Sequence, residues 1–269
     1  METPNTLPPG QITGQAPFYT KPEPLNPQDH GKLGLKTVAN PYAFGATQHF
    51  VPVLATEFMA AALSYPIIFA GGEELVPLVV MGLNNGENLF YKGDVVDADA
   101  YMPAYVRRYP FISAADQGGE RMVVCIDRDS PLIGENAETP LFENGELTEY
   151  TKNCIQFCES YEMDRSRTLK MVERLKELDL FENREATFTP PTPIGAPVAE
   201  PQVVAGFMAV SEVKLNALPV ETYLELRSMG YLQAIYAHLM SMGHWDRLIG
   251  MALGRRAAER AAEEAKKKN

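Results

Sequence analysis

The chain has 269 residues, of which 45% are hydrophobic and 22% are charged, a composition typical of a globular protein with room for one large domain or two small ones. Its net charge of −11 argues against nucleic acid as the main partner, because binding phosphates requires a basic face. The charge is uneven, since residues 255–268 carry a net +3 and leave −14 on the rest of the chain. Such a basic tail predicts contact with the acidic body, with an acidic partner or with a membrane surface, or else a solvated helix end.

The first 30 residues contain seven prolines and few large aliphatic side chains, which predicts an extended arm that is disordered alone or lies along a partner. No basic region followed by an apolar run is present there, so no secretion signal is predicted. The most apolar region, residues 67–83, is interrupted by Gly71, Gly72 and Pro77 and cannot cross a bilayer as one helix. We therefore expect a protein that is cytoplasmic or peripheral to a larger assembly.

Residues 31–182 are predicted to form an α+β core. A short helix from Thr56 to Leu63 precedes two strands, residues 67–69 and 75–81, which the Gly71-Gly72 turn joins as an antiparallel pair. Pro77 indicates that part of the second strand lies at an edge or a bulge. A further strand is expected at residues 88–91, followed by a turn at Gly93-Asp94.

The middle of the chain predicts one short helix, one strand and one long helix. Residues 101–109 form a short helix or turn closed by Pro110, and residues 121–127 form a buried strand. Residues 149–178 form the clearest helix, because one side carries an apolar stripe at spacings of three or four. That stripe consists of Cys154, Cys158, Tyr161, Arg165, Thr168, Val172 and Leu175, and its arginine must meet a carboxylate or reach the surface.

The remaining residues predict a connector, a last strand and a helical cluster. Residues 183–202 are a proline-rich connector, residues 203–254 are a strand plus helices that complete the same domain, and residues 255–269 are a charged helical tail. The stripe expected in the core of the cluster is Leu224, Leu226, Ile235, Leu239 and Met242. The predicted fold is thus α+β, with a curved antiparallel sheet packed by a long helix and followed by a C-terminal helical cluster.

The paired arginines Arg107 and Arg108 are the first candidate site. Guanidinium groups bind carboxylate or phosphate through a planar fork, and Tyr105 lies close by in sequence. The alternative is that one arginine pairs with an internal acid while the tyrosines pack, and we favour this alternative because arginine and tyrosine often act as packing anchors.

Asp127 and Asp129 follow the predicted strand and form the second candidate. Two carboxylates one residue apart suit a hard cation or acid–base chemistry. They also suit pairing with Arg107 or Arg108, or a loop cap before Pro131. Since the rest of a coordination shell cannot be identified, no metal site is predicted.

His49 is the best single histidine for a polar site on a folded segment, although a hydrogen-bonded core or rim histidine is the favoured interpretation. No phosphate loop, dinucleotide-binding fingerprint or nucleophile elbow is present, so no cofactor is predicted. Cys154 and Cys158 lie four residues apart on the long helix, which favours two small buried groups over a disulfide.

A series of short motifs, spread over residues 40–250, resembles the SapC family of bacterial proteins. The motifs are residues 49–53 (HFVPV), 65–68 (YPII), 86–90 (GENLF), 101–111 (YMPAYVRRYPF), 125–132 (CIDRDSPL), 140–142 (PLF), 214–219 (KLNALP) and 235–239 (IYAHL). The family name comes from association with a bacterial surface layer. The resemblance therefore implies a role in layer formation or cell-surface biology, without a defined biochemical activity.

We expect from these features a non-catalytic interaction or assembly protein, or an accessory subunit of a larger complex. Its protein partners would be contacted through the N-terminal arm and the C-terminal tail, and deleting residues 1–30 is expected to leave the fold stable. The alternative is an enzyme or a small-ligand-binding protein with an anion or metal site near Arg107, Arg108, Asp127 and Asp129.

Overall fold

A computed structural model of the protein describes residues 16–72, 74–115, 122–190, 192 and 199–268. Its α-helices are α1 (Pro27–His30), α2 (Phe58–Ala61), α3 (Ala104–Arg107), α4 (Glu149–Glu177), α5 (Glu212–Asn216), α6 (Val220–Ser228), α7 (Tyr231–Ser241) and α8 (His244–Lys268). Its strands are β1 (Pro22–Pro24), β2 (Leu33–Leu35), β3 (Phe50–Pro52), β4 (Ile67–Ala70), β5 (Val76–Val80), β6 (Tyr91–Lys92), β7 (Val95–Val96), β8 (Phe111–Ala115), β9 (Met122–Asp127), β10 (Ile133–Glu135), β11 (Thr139–Pro140), β12 (Phe142–Glu143), β13 (Glu146–Leu147), β14 (Phe181–Phe188) and β15 (Gln202–Val210). Two 3₁₀ helices cover Ala43–Thr47 and Ala55–Glu57.

The largest sheet is antiparallel, with the strand order β14-β15-β4-β5-β3. The hairpin of β4 and β5 confirms the predicted pair of strands, and its turn uses Gly71 at a φ of +133°, a conformation that L side chains rarely adopt. The edge or bulge predicted for part of β5 at Pro77 is confirmed locally: β5 lies between β4 and β3, and its ladder with β3 stops short of Pro77. Pro77 is tolerated there since β3 pairs with β5 only from Leu78 onward, while the Pro77 carbonyl accepts a bond from the Val53 amide at 3.1 Å.

The predicted strand at residues 88–91 is also corrected, since only Tyr91 enters a strand. Asn88 is buried, and its side-chain amide donates to the Gly45 carbonyl at 3.0 Å, while its side-chain oxygen accepts from the Phe90 amide. These side-chain bonds hold residues 88–90 as a loop, because they supply partners that a strand ladder would otherwise provide.

Strand β14 corrects the beginning of the predicted connector. Residues 183–188, assigned to the connector from their sequence, pair with β15 as part of an eight-residue strand. Between its buried residues Phe181 and Ala186, most of this strand is exposed and polar, and its register with β15 shifts after Ala186. The sequence therefore lacks the alternation of apolar and polar residues that identifies a half-buried strand. Of the remaining connector, residues 191 and 193–198 lie outside the described residues.

The long helix α4 confirms the prediction for residues 149–178. The Thr148 side chain caps it by accepting from the Thr151 amide at 3.3 Å. Its buried face includes most of the predicted stripe, and it consists of Thr151, Cys158, Tyr161, Thr168, Met171, Val172 and Leu175. Arg165 reaches solvent and also lies 3.7 Å from Glu162. The two arrangements expected for this arginine, contact with a carboxylate and exposure at the surface, therefore both occur.

Residues 16–30 lie against the chain's own body. Strand β1 pairs antiparallel with β9, in a sheet of order β1-β9-β8. Tyr19 and His30 are buried, and Asn26 caps α1 by accepting from the Asp29 amide. The second half of the predicted arm therefore contributes to the folded body, and these contacts predict that deleting residues 1–30 destabilises the fold, in contrast to the expectation from the sequence. Residues 1–15 lie outside the described residues.

Helix α7 packs on the large sheet through polar side chains as well as apolar ones. The Ile67 amide donates to Ser241 Oγ at 2.9 Å, and His238 Nδ1 bonds to the Ile67 carbonyl at 2.7 Å. Because the Val210 amide donates to His238 Nε2, the proton of the neutral ring lies on Nδ1. These side chains satisfy backbone groups of β4 and β15 that have no strand partner at that point.

The C-terminal cluster consists of α5 to α8, as predicted. Leu226 and Ile235 are buried as expected, whereas Leu224 is 50% exposed and does not belong to the core stripe. Helix α8 is fixed where it leaves the body, because the Arg255 guanidinium donates to the carbonyl oxygens of Asn88, Leu89 and Tyr91. Residues 256–267 beyond this anchor are all exposed. The fold is α+β, as predicted.

Candidate functional site

The segment with the paired arginines folds as helix α3 and leads into strand β8. Pro103 stands before the helix at an extended ψ of 146°, and the Ala104 amide donates to Glu57 Oε1 at 2.7 Å. Arg107 and Arg108 are adjacent, and their side chains enter different surroundings: the Arg107 side chain is 41% exposed and that of Arg108 is 5% exposed. The two arginines therefore have different roles.

Arg108 is buried among three tyrosines. Its guanidinium carbon lies 4.1 Å from the ring centre of Tyr161, 4.5 Å from that of Tyr105 and 5.9 Å from that of Tyr19, distances typical of cation–π contacts. Its Nη1 donates to Glu162 Oε1 at 3.2 Å, whereas its buried Nε has no hydrogen-bond partner among the described residues. An internal acid and aromatic packing thus compensate this charge, as the favoured interpretation of the sequence expected.

The tyrosines around Arg108 stay neutral at physiological pH. Burial raises the pKa of Tyr105 to about 12, against the opposing effect of Arg108, and burial likewise raises the pKa of Tyr19 and Tyr161 far above 10. Their hydroxyl groups are therefore donors, as in the bonds from Tyr19 to the Phe111 carbonyl at 2.6 Å and from Tyr105 to the Pro17 carbonyl at 3.1 Å. The cluster suits positioning better than proton transfer near neutral pH.

Asp127 is fully buried at the end of β9 and holds the N-terminal segment in place. Its carboxylate accepts from the Thr20 amide and hydroxyl at 3.3 and 3.2 Å, and from the Lys21 amide at 2.8 Å. It also accepts from the Tyr109 hydroxyl at 3.1 Å. The carboxylate therefore joins the two sequence segments that carry the candidate residues, and it does so through hydrogen bonds that occupy both of its oxygens.

We call this arrangement the clasp: residues 16–24 closed over Asp127, Tyr109, Tyr105 and Arg108. Phe18 stands in it at a φ of +76°, which is uncommon for a residue other than glycine. Its ring packs against Phe44, at 5.0 Å between ring centres. Aromatic contacts and buried hydrogen bonds together close the clasp.

Two of the predicted site residues lie apart from this cluster. Asp129 is exposed, so only one carboxylate of the pair contributes to the buried network. His49 is buried against the ring of Phe50, and its Nδ1 has no hydrogen-bond partner among the described residues. Burial lowers the pKa of His49, so this histidine is neutral at physiological pH and faces no described partner that would make it a polar site.

Arg107 borders an open groove between α3, β8 and the first half of α4. The cavity has a volume of about 300 Å³, and α4 contributes Tyr150, Asn153, Cys154 and Phe157, which lie on one side of the helix because they are three or four residues apart. The Arg107 guanidinium lies 5.3 Å from the ring centre of Phe157. Burial raises the pKa of the Cys154 thiol, so the groove presents a cation and a neutral thiol.

Sequence reasoning missed Tyr19, Glu57 and Glu162. Glu57 accepts from the Tyr101 hydroxyl and the Ala104 amide, each at 2.7 Å, and it lies 3.8 Å from Arg107. The only available signal for Glu162 was its position beside Tyr161 on the buried side of a long helix. Tyr19 gave no signal, because its segment was assigned to an arm.

In the described ranges, no cluster of three or more His, Cys, Asp or Glu side chains could hold a metal ion. Likewise, none of the helices within those ranges is long and apolar enough to cross a membrane. The described geometry compensates buried charge, occupies both oxygens of the Asp127 carboxylate and leaves an open groove beside Arg107.

A protein-family model described as SapC matches residues 25–248. This interval includes every motif that carried the resemblance found in the sequence. Comparison with curated proteins and with solved structures finds no match.

Proposed function

The chain belongs to the SapC family, and on that premise we propose that it is a non-catalytic interaction and assembly protein, linked to bacterial surface-layer biology or acting as an accessory subunit of a larger complex. The observation that supports this proposal is the end of α8, where residues 256–267 are helical and exposed. An isolated helix of this length is marginal in water, and most helices are stabilised by packing against another surface. The tail is therefore the element we assign to partner contact.

The anchor of the tail supports the same proposal. Arg255 fixes the base of the helix with bonds of 2.7 to 3.2 Å to three carbonyl oxygens, so the exposed part leaves the body in a set direction. A partner then binds a helix that is already positioned, which reduces the entropy lost on association. Residues 1–15, which lie outside the described residues, are the second segment that we propose for contact.

The test is to purify the full chain and a chain lacking residues 257–269 from the native cell and to compare their partners by native mass spectrometry. We expect the truncated chain to unfold at the same temperature and to lose its co-purifying proteins. A variant with Lys266, Lys267 and Lys268 changed to arginine is the control, since it keeps the length and charge of the tail. Unchanged partners after truncation would contradict the assignment.

A second candidate function, binding of a small anion, is favoured by the groove beside Arg107. Its exposed guanidinium and apolar lining suit an aromatic carboxylate, because arginine pairs with carboxylates and an aromatic body suits the Phe157 side. Titration with benzoate, followed by nuclear magnetic resonance, tests it: shifts confined to the groove that disappear in Arg107→Gln would support it. An equal response from Arg165→Gln, which changes an exposed arginine elsewhere on α4, would count against it.

A further inference from the structure

A second surface of the molecule complements the tail in charge. It is an open cavity of about 520 Å³ between α4 and the β4–β5 hairpin, lined by Glu74, Leu75, Leu169, Val172, Glu173, Lys176 and Glu177. We call it the acidic cleft. The lining side chains comprise three carboxylates and one ammonium, a formal charge of about −2. Glu177 is already paired with Arg174 at 2.8 Å, so the carboxylates of Glu74 and Glu173 are the main attraction for a cation at this surface.

The floor of the acidic cleft is apolar and its rim is charged. Leu75 and Val172 are buried below it, whereas Glu74, Glu173 and Glu177 are exposed around it. A lysine side chain matches such a surface, because its methylene stem packs on aliphatic groups while its ammonium stays among carboxylates. The cavity admits side chains and not a whole helix, whose diameter is about 10 Å or more.

The tail supplies such side chains. Residues 255–268 carry a net charge of +3, and Lys266, Lys267 and Lys268 stand together at the end of the helix. Within one chain the tail does not fill the cleft, since residues 256–267 are all exposed and Arg255 fixes the helix base at Asn88 and Tyr91. The occupant that the charges favour is therefore the tail of another molecule.

We infer that the lysine end of α8 binds the acidic cleft of a second copy of this chain. This inference rests on the proposed function and names its partner. Each copy carries one tail and one cleft, so the contact is heterologous, which produces a closed ring or dimer where the rotation closes and an open chain where it does not. Because both surfaces are exposed, the attraction is screened by salt.

Sedimentation velocity over a range of concentrations, at low salt and at high salt, tests this inference on the full chain. The unchanged chain is expected to associate, and high salt is expected to weaken the association. Two variants, Glu74→Lys with Glu173→Lys and Lys266→Glu with Lys267→Glu and Lys268→Glu, should each associate roughly tenfold more weakly, because several surface ion pairs are reversed at once. Circular dichroism verifies that the tail of the second variant remains helical.

Two combinations make the test specific. A chain with both sets of substitutions should associate again, and a mixture of the two single-surface variants should form a one-to-one complex, because one member keeps the native cleft and the other keeps the native tail. The control Glu143→Lys with Glu146→Lys introduces the same charge change on the β12–β13 hairpin and should associate like the unchanged chain.

A chain that stays monomeric at all concentrations, or a control that loses association equally, would overturn the inference. The proposed function would survive that result if the tail still captures another protein in native mass spectrometry. If truncation changes neither partners nor self-association, both the proposed function and this inference fail.

Discussion

The clasp and the tail use charged residues in opposite ways. In the clasp, Asp127 and Arg108 are buried and are held by neighbours in the same molecule, so removing a partner leaves a charge without compensation. In the tail, the charges beyond Arg255 are exposed to water, where a single ion pair contributes little to folding. The comparison indicates that the buried charges of the clasp join segments of the body, while the charges at the end of α8 are exposed and have no such role.

The largest effect is expected at Asp127. Changing Asp127 to Ala leaves the Thr20 and Lys21 amides and the Tyr109 hydroxyl without their acceptor, so the free energy of unfolding should fall by about 4 kcal/mol. Urea denaturation measures it. Asp129→Ala is the matched control, because that side chain is exposed and its loss should change stability by less than about 0.5 kcal/mol. If Asp127→Ala and Asp129→Ala lower the free energy of unfolding equally, the buried carboxylate stabilises the fold no more than the exposed one does.

His238 should make the stability of the sheet depend on pH. Burial lowers the pKa of His238 in the folded protein to about 4, whereas the ordinary pKa of histidine is 6.5. As pH falls below 6.5, His238 is therefore protonated in the unfolded state before it is protonated in the folded state. The stabilisation is complete above pH 6.5 and is lost as pH falls towards 4, on the order of 3 kcal/mol in total. Denaturation midpoints of the native chain and of His238→Gln at several pH values measure this. If both lose stability in parallel between pH 6.5 and 4, His238 is not responsible.

Substitution of Glu162 tests how much the buried Arg108 depends on its carboxylate partner for the stability of the fold. Changing Glu162 to Ala leaves a buried guanidinium without its carboxylate and should lower the free energy of unfolding by about 2 kcal/mol. The double variant Arg108→Met with Glu162→Leu should recover much of that loss, because apolar groups of similar volume often replace a buried pair without cost. A double variant less stable than Glu162→Ala would show that the cation–π contacts with the tyrosines dominate.

The smallest effect on folding is expected from the tail. Removing residues 257–269 should change the free energy of unfolding by less than about 0.5 kcal/mol, since residues 257–267 are all exposed. Changing Arg255 to Ala is the contrasting variant, because it removes three bonds to the carbonyl oxygens of residues 88, 89 and 91 and should cost about 1 kcal/mol or more. If the truncation destabilises the protein more than Arg255→Ala does, the exposed part of the tail contributes to folding, as the clasp does.

The main secondary structure was predictable where a pattern was local and repeated. Helix α4 has a stripe at helical spacing from Cys154 to Leu175, about six turns, and the β4–β5 hairpin combines apolar runs with a two-glycine turn. Strand β14 was not predictable, because its outer face is polar and its partner β15 follows a proline-rich segment. Pro77, by contrast, was a local sign that the ladder with β3 is incomplete at that residue, because proline has no backbone amide to donate.

The sequence identified residues of the candidate site and did not predict which contacts they make. The sequence singled out Arg108 and Asp127 as charges near a buried strand, and it predicted packing as one of two outcomes. Which acid meets Arg108 depends on how α4 crosses α3 and β8, and no spacing along the chain encodes that crossing. Tyr19 lies 89 residues before Arg108 in the sequence, so its contact with the guanidinium is a product of the fold alone.

The sequence by itself determined the family, the α+β class, the long helix and the charge difference between body and tail, because motifs, periodicity and net charge are properties of residue order. Only the tertiary structure decided that Asp127 accepts the Thr20 and Lys21 amides, that His238 completes the hydrogen bonding of β4 and β15, and that the tail is held at Arg255. Each of these contacts joins residues that are far apart along the chain, and burial then sets how strongly they interact.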